Sequence, residues 1–398
     1  MKTDKYNQIF IRCCYGYAVS GMAVLVIGAI LPSIIKEAGI SFLAAGSLLS
    51  GMAIGNLSSS FLFPILVSWI GRKRAIFFIT LLSPVCLFLL ILLPPFPVMY
   101  GAMLIYGLVR GCITILNNAA VNDIYGQKAT GKLNLLHCSF AIGAFLAPFM
   151  TAVLMRFGFD WRAVLYVILF LAATTAISYG TMDEALLNTK SRGSKRTDSG
   201  NATGNKAFLK SFSFYCVAFI LFFYLGVENC INGWFITYLQ NTGVMSPGYA
   251  TTLVSFTWLV IMAGRLICAA LSKRLEKSTI ILILALGSAV CFFLLITIKS
   301  LPMITIALLG LGFFLSGIYP TCIANAGIFI KGSTVGMSLL TAISAVGGII
   351  TPQLVGAAAD KIGIVAAVSI LSVNVVFVII LAFINFKGKN KNIVQTQS

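Results

Sequence analysis

Long runs of apolar residues alternate with short polar breaks along the whole chain. Each run is long enough for an α-helix to cross the hydrocarbon core of a bilayer, which takes about 20 residues. The runs are continuous, whereas the strands of a membrane barrel would alternate with a period of two over about ten residues. The pattern predicts an all-α integral membrane protein with twelve transmembrane helices. Their predicted spans are 9–35, 43–70, 74–93, 97–124, 133–155, 163–180, 210–240, 247–271, 278–297, 300–329, 334–357 and 362–386.

Composition supports the membrane assignment. Hydrophobic residues make up 59% of the 398 positions and charged residues only 10%, and the mean hydropathy is +1.00. Soluble domains hold about 45–50% apolar and about 25% charged residues. A water-soluble class is therefore excluded.

The placement of basic residues predicts the topology. Lysine and arginine number 28, against 10 acids, and the formal net charge is +18. With the N-terminus in the cytoplasm, 21 of the 28 fall on the inner side, Arg110 and Arg265 lie deep within spans, and those outside are Lys36, Arg156, Arg162, Lys299 and Lys361. This bias predicts a multi-pass protein of the plasma (cytoplasmic) membrane with both termini cytoplasmic. The basic inner side suits membrane lipids as partners, and we expect no nucleic-acid partner.

One long polar segment divides the predicted helices six and six. Residues 181–206 are rich in Ser, Thr, Asn, Gly and Lys, a composition that cannot bury enough apolar surface to fold alone. We predict a six-helix bundle over 1–180, a cytoplasmic linker over 181–209, and a second six-helix bundle with a short cytoplasmic tail over 210–398.

The fifth predicted helix of one half is similar in sequence to the fifth predicted helix of the other. The segments "LNLLHCSFAIGAFLAP" (133–148) and "MSLLTAISAVGGIITP" (337–352) align Gly143 with Gly347. Such glycines, like Gly55 in the second helix, let helices approach closely in a bilayer. The similarity predicts two pseudo-symmetric bundles with a solute site near the midplane between them. We expect the chain to act as a monomer.

The fourth helix carries a charge at membrane depth, which costs about 2.5–3.5 kcal/mol on insertion scales. Helical steps from Arg110 reach Thr114, Asn117, Asn118 and Asn122, so one stripe of the helix is polar. Arg110, Asn117 and Asn118 are candidates for a substrate cavity. The alternative is interhelical hydrogen bonding, worth about 0.6 kcal/mol per bond.

The seventh helix carries the second stripe. Tyr224, Glu228 and Asn232 follow helical spacing, with Asn229 and Trp234 beside them. All five are candidate substrate-binding residues. Glu228 could pair with the arginine of the fourth helix, or, if unpaired in a dry site, bind a coupling proton. A static salt bridge is the structural alternative.

Four further residues are weaker candidates. His137 is the single histidine and is either a proton-coupling group or an ordinary hydrogen-bonding residue. Arg265 lies near the cytoplasmic end of the eighth helix, which indicates a gate or interface residue. Trp258 could stack on a sugar ring or fill the core. Asn325 is assigned to the substrate site.

Enzymatic chemistry is poorly supported. The sequence has no phosphate-binding loop and no cluster of metal-ligand residues. The ten cysteines have no C-x-x-C spacing and are typical of small packing residues. We expect no enzyme activity, no catalytic residue, no metal and no cofactor.

The loop "SWIGRKR" resembles the loop motif G-x-x-x-D-x-x-G-R-[KR] of the major facilitator transporters. Gly71, Arg72 and Lys73 match the motif and are candidate gating residues. Pro64 replaces its first glycine and Ser68 its aspartate. The missing aspartate puts the charge latch of that family in doubt here.

Four segments resemble the fucose, galactose and glucose branch and its glucose-transporter-like relatives: "KLNLLHCSFAIGAFLAP", "YLGVENCINGWFITYL", "GIYPTCIANAG" and "GGIITPQLVGAAADKIG". The resemblance implies alternating access, a small-molecule substrate and a coupling proton. The symporters of that branch carry acids midway along helices 1 and 4, and this chain has none there. Arg110 stands in helix 4 instead, which opens the substrate class to sugar acids.

The sequence therefore favours a secondary active carrier for a sugar or sugar derivative. One alternative is an efflux carrier for amphipathic drugs, which should tolerate Asn118→Ala and Asn232→Ala, whereas a polar-solute site should not. An alternative of another class is a non-transporting membrane sensor built on a carrier fold. A sensor would move no solute in liposomes.

Overall fold

The structure is a computed structural model that describes residues 2–125, 129–182, 208–209, 211–272, 274–330 and 334–396. Within these ranges, twelve helices are long and apolar enough to cross a membrane, and no strand occurs. The all-α integral membrane prediction is confirmed.

The helices divide between two compact units, Met1–Asp198 and Ser199–Ser398. The first unit contains α1 Lys2–Ala38, α2 Phe42–Ile70, α3 Arg72–Ile91, α4 Phe96–Tyr125, α5 Ala129–Arg156 and α6 Arg162–Gly180. The second contains α7 Phe212–Asn241, α8 Pro247–Leu271, α9 Lys277–Thr297, α10 Leu301–Leu315, α11 Ile318–Ile330, α12 Thr334–Ile362, α13 Ile364–Ala367 and α14 Leu371–Thr396. Most of the predicted linker, residues 183–207, lies outside the described residues, so the predicted domain boundaries remain a prediction.

Helices begin where side chains can satisfy their first N–H groups. The Ser41 hydroxyl accepts from the Ala44 N–H at 3.1 Å, and the Ser246 hydroxyl accepts from the Tyr249 N–H at 3.2 Å. Pro247 follows Ser246 at the first position of α8, where its missing N–H costs nothing. These caps fix α2 and α8 at one end.

Glycines set the closest helix pairs, as predicted. A Cβ at Gly143 of α5 would collide with the Ala18 carbonyl of α1, and a Cβ at Gly347 of α12 would collide with the Phe222 carbonyl of α7. The fifth helix of each half thus packs on the first through equivalent glycines. Gly55 likewise brings α2 against the backbone of α4.

The predicted tenth span, 300–329, corresponds to one membrane-length segment, Leu301–Gly327, but the helix within it is interrupted. It ends at Leu315 and resumes at Ile318, with Ser316 and Gly317 in a turn. The Ser316 hydroxyl donates to the Phe313 carbonyl at 2.6 Å, and local bonds of this kind bend helices. Glycine adds flexibility at the same point.

Candidate substrate site

Four side chains of charged or phenolic character meet in the second unit. Tyr224 precedes Glu228 by one turn of α7, and the two side chains are hydrogen-bonded, with the phenol donating to the carboxylate. The Tyr319 ring of α11 lies 6.3 Å from the Tyr224 ring, centroid to centroid. Arg265 of α8 is near enough to act on Tyr224 electrostatically, as Glu228 does on Tyr319. We call these four residues the Glu228 cluster.

The Glu228 cluster is largely removed from solvent. Tyr224 is 2% exposed, and Glu228 and Arg265 are partly buried. The Nε atom of Arg265 is buried and has no hydrogen-bond acceptor within the described residues. Buried polar groups are nearly always hydrogen-bonded, so a buried N–H donor without an acceptor is unusual.

The break between α10 and α11 borders the Glu228 cluster. Tyr319 lies two residues after Gly317, and Gly264, which precedes Arg265, packs against Ser316. The Cys268 thiol and the Thr321 hydroxyl are 3.5 Å apart, which holds α8 against α11. Discontinuous helices are typical of substrate sites in secondary transporters.

The neighbouring polar residues of α7 are engaged in packing. The Asn229 amide donates to the Gly348 carbonyl at 2.9 Å, and the indole of the fully buried Trp234 donates to the Pro352 carbonyl at 2.9 Å. Both bonds join α7 to α12. Asn232 lies one turn beyond Glu228 and is partly buried.

Two of the weaker candidates in this unit are core residues. Trp258 is 4% exposed, and Asn325 is 6% exposed. The Asn325 side-chain amide donates to the side-chain Oδ1 of Asn385 at 3.3 Å, across α11 and α14. This contact favours a structural role for Asn325.

The asparagines in the polar stripe of α4 differ in their hydrogen bonding. Asn117 is fully buried; it donates to the Cys13 carbonyl at 3.2 Å and accepts from the Tyr179 hydroxyl at 3.0 Å. Both ends of its amide thus join α4 to α1 and α6. The Asn118 carbonyl oxygen is buried without a partner in the described part of the chain.

Arg110 borders a small internal cavity of the first unit. The cavity has a volume of about 10 Å³ and is lined by Arg110, Ser20, Thr80, Tyr106 and other residues of α1, α3, α4 and α6. The Arg110 guanidinium also lies 5.9 Å from the Phe140 ring centroid. Because Arg110 and Glu228 belong to different units, their pairing remains a prediction.

The loop motif has a charge partner that the sequence pattern did not reveal. Arg72 forms an ion pair with Asp123 at the end of α4, at 2.6 Å. Ser68, at the place of the family's aspartate, donates to its own helix at Ile65. Gly71 has φ +82° and separates α2 from α3, with Lys73 in the first turn of α3.

His137 lies in the first half of α5. Its side chain is exposed, and its ring makes an edge contact with Tyr17 at 5.4 Å. This position gives no specific support for proton coupling.

A second polar network at the other end of the first unit was also missed. Glu37 at the end of α1 forms an ion pair with Arg162 at the start of α6 and accepts from the Trp161 indole at 2.9 Å. Arg162 also donates to the Ile91 carbonyl at 3.0 Å, at the end of α3. We call Glu37, Trp161 and Arg162 the α1–α6 clamp. Because its members are far apart in sequence, only packing brings them together.

Metal-binding chemistry finds no site in the described ranges, where no group of three or more His, Cys, Asp or Glu residues could hold an ion. The cysteines are free thiols, and most of them are buried. They are packing residues, as their spacing indicates.

Twelve membrane-length helices within the described residues and the equivalent glycine packing inside each unit define a multi-pass membrane protein built from two similar halves. The chain belongs to the Major Facilitator Superfamily, whose family model matches residues 13–352.

Comparisons with individual proteins agree with that family. The "Protein TsgA homolog" of Buchnera aphidicola subsp. Baizongia pistaciae is 22% identical over 96% of this chain and 97% of its own. The homolog of the same name from Erwinia tasmaniensis is also 22% identical, over 95% of this chain and 94% of its own.

Two solved structures share the fold over nearly the whole chain. A D-xylose-proton symporter has a TM-score of 0.79 at 14% identity, covering 96% of this chain and 97% of its own. The nucleoside transporter NupG has a TM-score of 0.75 at 16% identity, covering 96% and 98%. At these identities the likeness concerns the fold alone.

Proposed function

We propose that the protein is a secondary active transporter that moves a small polar solute, a sugar or sugar derivative, by alternating access. The observation that carries this proposal is the Glu228 cluster. Its phenols and charged groups offer donors and acceptors at membrane depth beside a helix break. Charged groups in that position usually face a cavity, a partner or a substrate.

The cluster revises the set of proposed site residues. Tyr224, Glu228, Arg265 and Tyr319 become the centre of the site, with Asn232 beside it. Asn117, Asn229, Trp234 and Asn325 support the helices through the contacts described above. Arg265 is thus reassigned from a gate to the site itself.

The comparisons support a polar substrate without identifying it. The two fold relatives are described as carriers of D-xylose with a proton and of nucleosides, which are hydroxyl-rich solutes. Glu228 is the proposed coupling acid, because it is a membrane-depth carboxylate next to the phenols. We further propose a monomer in the cytoplasmic membrane with both termini inside.

A binding screen tests the proposal. Purified protein is heated in detergent with a panel of neutral sugars and sugar acids, for wild type, Glu228→Gln and the control Glu276→Gln. Glu276 is exposed just before α9. We expect at least one compound to raise the melting temperature of wild type and of the control equally, and that of Glu228→Gln by a smaller amount, because the amide keeps one acceptor oxygen but not the charge. If no compound stabilises any form, the substrate class is wrong.

One observation favours the second candidate function, efflux of amphipathic compounds. A groove of about 440 Å³ between α8 and α10 is lined by Tyr249, Leu253, Phe256 and Leu309, among others, almost wholly by apolar surface. Apolar pockets of this size suit drug-like ligands. Cells that express the protein would then resist cationic dyes, and Leu253→Gln would abolish the resistance.

A further inference from the structure

We propose that Arg265 binds an anionic group of the substrate, so that the carrier selects a sugar acid over the matching neutral sugar. This inference rests on the proposed transport function and narrows its substrate class. The site it names is the guanidinium of α8, beside the Tyr224 and Glu228 pair.

The first step is the unused donor. Arg265 Nε is buried, and within the described ranges it meets no acceptor. A guanidinium has five N–H donors in a planar fork and accepts nothing, so only a hydrogen-bond acceptor can satisfy it. A bound carboxylate supplies two such oxygens in matching geometry.

The second step is the state of the nearby carboxylate. Glu228 already receives the Tyr224 hydroxyl, so it has a donor of its own within α7. The guanidinium of Arg265 is near enough to Tyr224 to act on it electrostatically. A ligand carboxylate would bind on the side of Arg265, while the hydroxyl groups of the ligand would face the phenols of Tyr224 and Tyr319.

The third step is rigidity, which a selective site requires. Gly264 brings the backbone of α8 against Ser316 at the helix break, where a Cβ would collide with the Ser316 hydroxyl. A Cβ at Gly317 would come within 2.6 Å of the Cys268 thiol. The chain on both sides of Arg265 is therefore held against the break, and the base of the side chain has little freedom.

The other membrane arginine is a poorer anion site. The cavity beside Arg110 has a volume of about 10 Å³, which holds about one water molecule and not a carboxylate. Its lining already includes the hydroxyl groups of Ser20, Thr80 and Tyr106. The cavity beside Arg110 therefore has room for a water molecule but not for the carboxylate of a substrate.

The test compares matched acids and neutral sugars. Affinities of glucuronate and glucose, and of galacturonate and galactose, are measured by calorimetry on the full-length protein in detergent. The variants are Arg265→Gln, which removes the charge, Arg265→Lys, which keeps the charge without the fork, and Arg110→Gln as the matched control.

We expect wild type to prefer an acid over its neutral partner by about 10- to 100-fold, the strength of charge-assisted hydrogen bonds. Arg265→Gln should lose that preference, and its melting temperature without ligand should match that of wild type, which shows that it folds. Arg265→Lys should keep part of the preference, and Arg110→Gln all of it.

Two outcomes overturn the inference and separate it from the proposed function. If neutral sugars bind to wild type as well as the acids do, or if Arg265→Gln keeps the wild-type preference, Arg265 is no anion site, while the transporter proposal stands. If no sugar or sugar acid binds to any form, both the inference and the proposed substrate class are wrong.

Discussion

Glu228 and Arg265 carry opposite charges on adjacent helices of one unit, and a phenol is bonded to the first. A charge at this depth is costly unless it is paired, bonded or used. Tyr224 offsets part of that cost for Glu228. Arg265 retains a buried N–H donor that has no acceptor among the described residues. A bound ligand could supply that acceptor.

Glu228→Gln should abolish proton-driven accumulation while leaving the downhill exchange of substrate intact. The amide keeps the size of the side chain and the contact with Tyr224 but cannot bind and release a proton. Counterflow of labelled substrate in proteoliposomes measures the exchange. Glu228→Asp is the conservative control, and it should retain part of the proton-driven uptake. A glutamine variant that accumulates substrate like wild type would show that Glu228 is not the coupling acid.

Asn117→Ala should destabilise the first unit without changing substrate specificity. It leaves the Tyr179 hydroxyl without its acceptor in the core and removes a second bond to the Cys13 carbonyl, at a cost of about 1–3 kcal/mol. A lower melting temperature, followed with a thiol-reactive dye, checks this. Asn122→Ala is the control, since Asn122 is exposed on the same helix. If the variant loses substrate affinity but keeps its melting temperature, Asn117 is a substrate-binding residue and not a structural one.

At the scale of elements, the closest helix pairs depend on glycines in equivalent places. Gly143 of α5 and Gly347 of α12 each meet a backbone carbonyl of the first helix of their unit. No side chain fits in that space, so the fifth helix packs against the first helix in the same way in both units.

Gly143→Ala should therefore lower stability, although alanine is the better helix former. The added methyl group must push α1 from α5, and overpacking of this kind costs about 1–3 kcal/mol. Gly101→Ala in α4 is the matched control, because nothing lies within 4 Å of its added Cβ; it should be neutral or slightly stabilising. Equal melting temperatures for the two variants would contradict the packing described here.

The α1–α6 clamp should stabilise the first unit chiefly by joining three helix ends. Arg162→Gln removes the ion pair with Glu37 and weakens the bond to the Ile91 carbonyl. Because these groups are partly exposed, we expect a loss of about 1 kcal/mol or less. Thermal unfolding at low and high salt measures it, and a large, salt-independent loss would show a buried role instead.

Sequence reasoning worked best where a single helix carries the signal. The membrane spans follow from the length of each apolar run, and the depth of Glu228 follows from its place within one. The break at Ser316 and Gly317 was missed, because serine and glycine are common inside intact membrane helices. The nearness of Arg265 to Tyr224 could not be predicted, because it depends on how α8 packs against α7 and α11. The role of Asn117 likewise depends on Tyr179, which lies far from it in sequence.

At the scale of the whole molecule, the basic residues predict which side each loop faces. Lys299 precedes α10 on the predicted outer side, and Arg274 follows α8 on the predicted inner side. A green fluorescent protein fused to the C-terminus should fluoresce, because the predicted position of that terminus is the cytoplasm, where the fluorescent protein folds. An alkaline phosphatase fusion after Lys299 should be active, and one after Arg274 inactive. The reverse pattern would overturn the topology.

Family membership and the Glu228 cluster together make solute transport the central claim for the whole molecule. The most direct measurement is the uptake of labelled sugars and sugar acids by proteoliposomes, with and without an imposed inward proton gradient, for wild type and Glu228→Gln. We predict that wild type accumulates at least one of these solutes when the gradient is imposed and that the variant does not accumulate it. Wild-type protein that is folded and inserted, yet moves none of these solutes with or without the gradient, would contradict the claim.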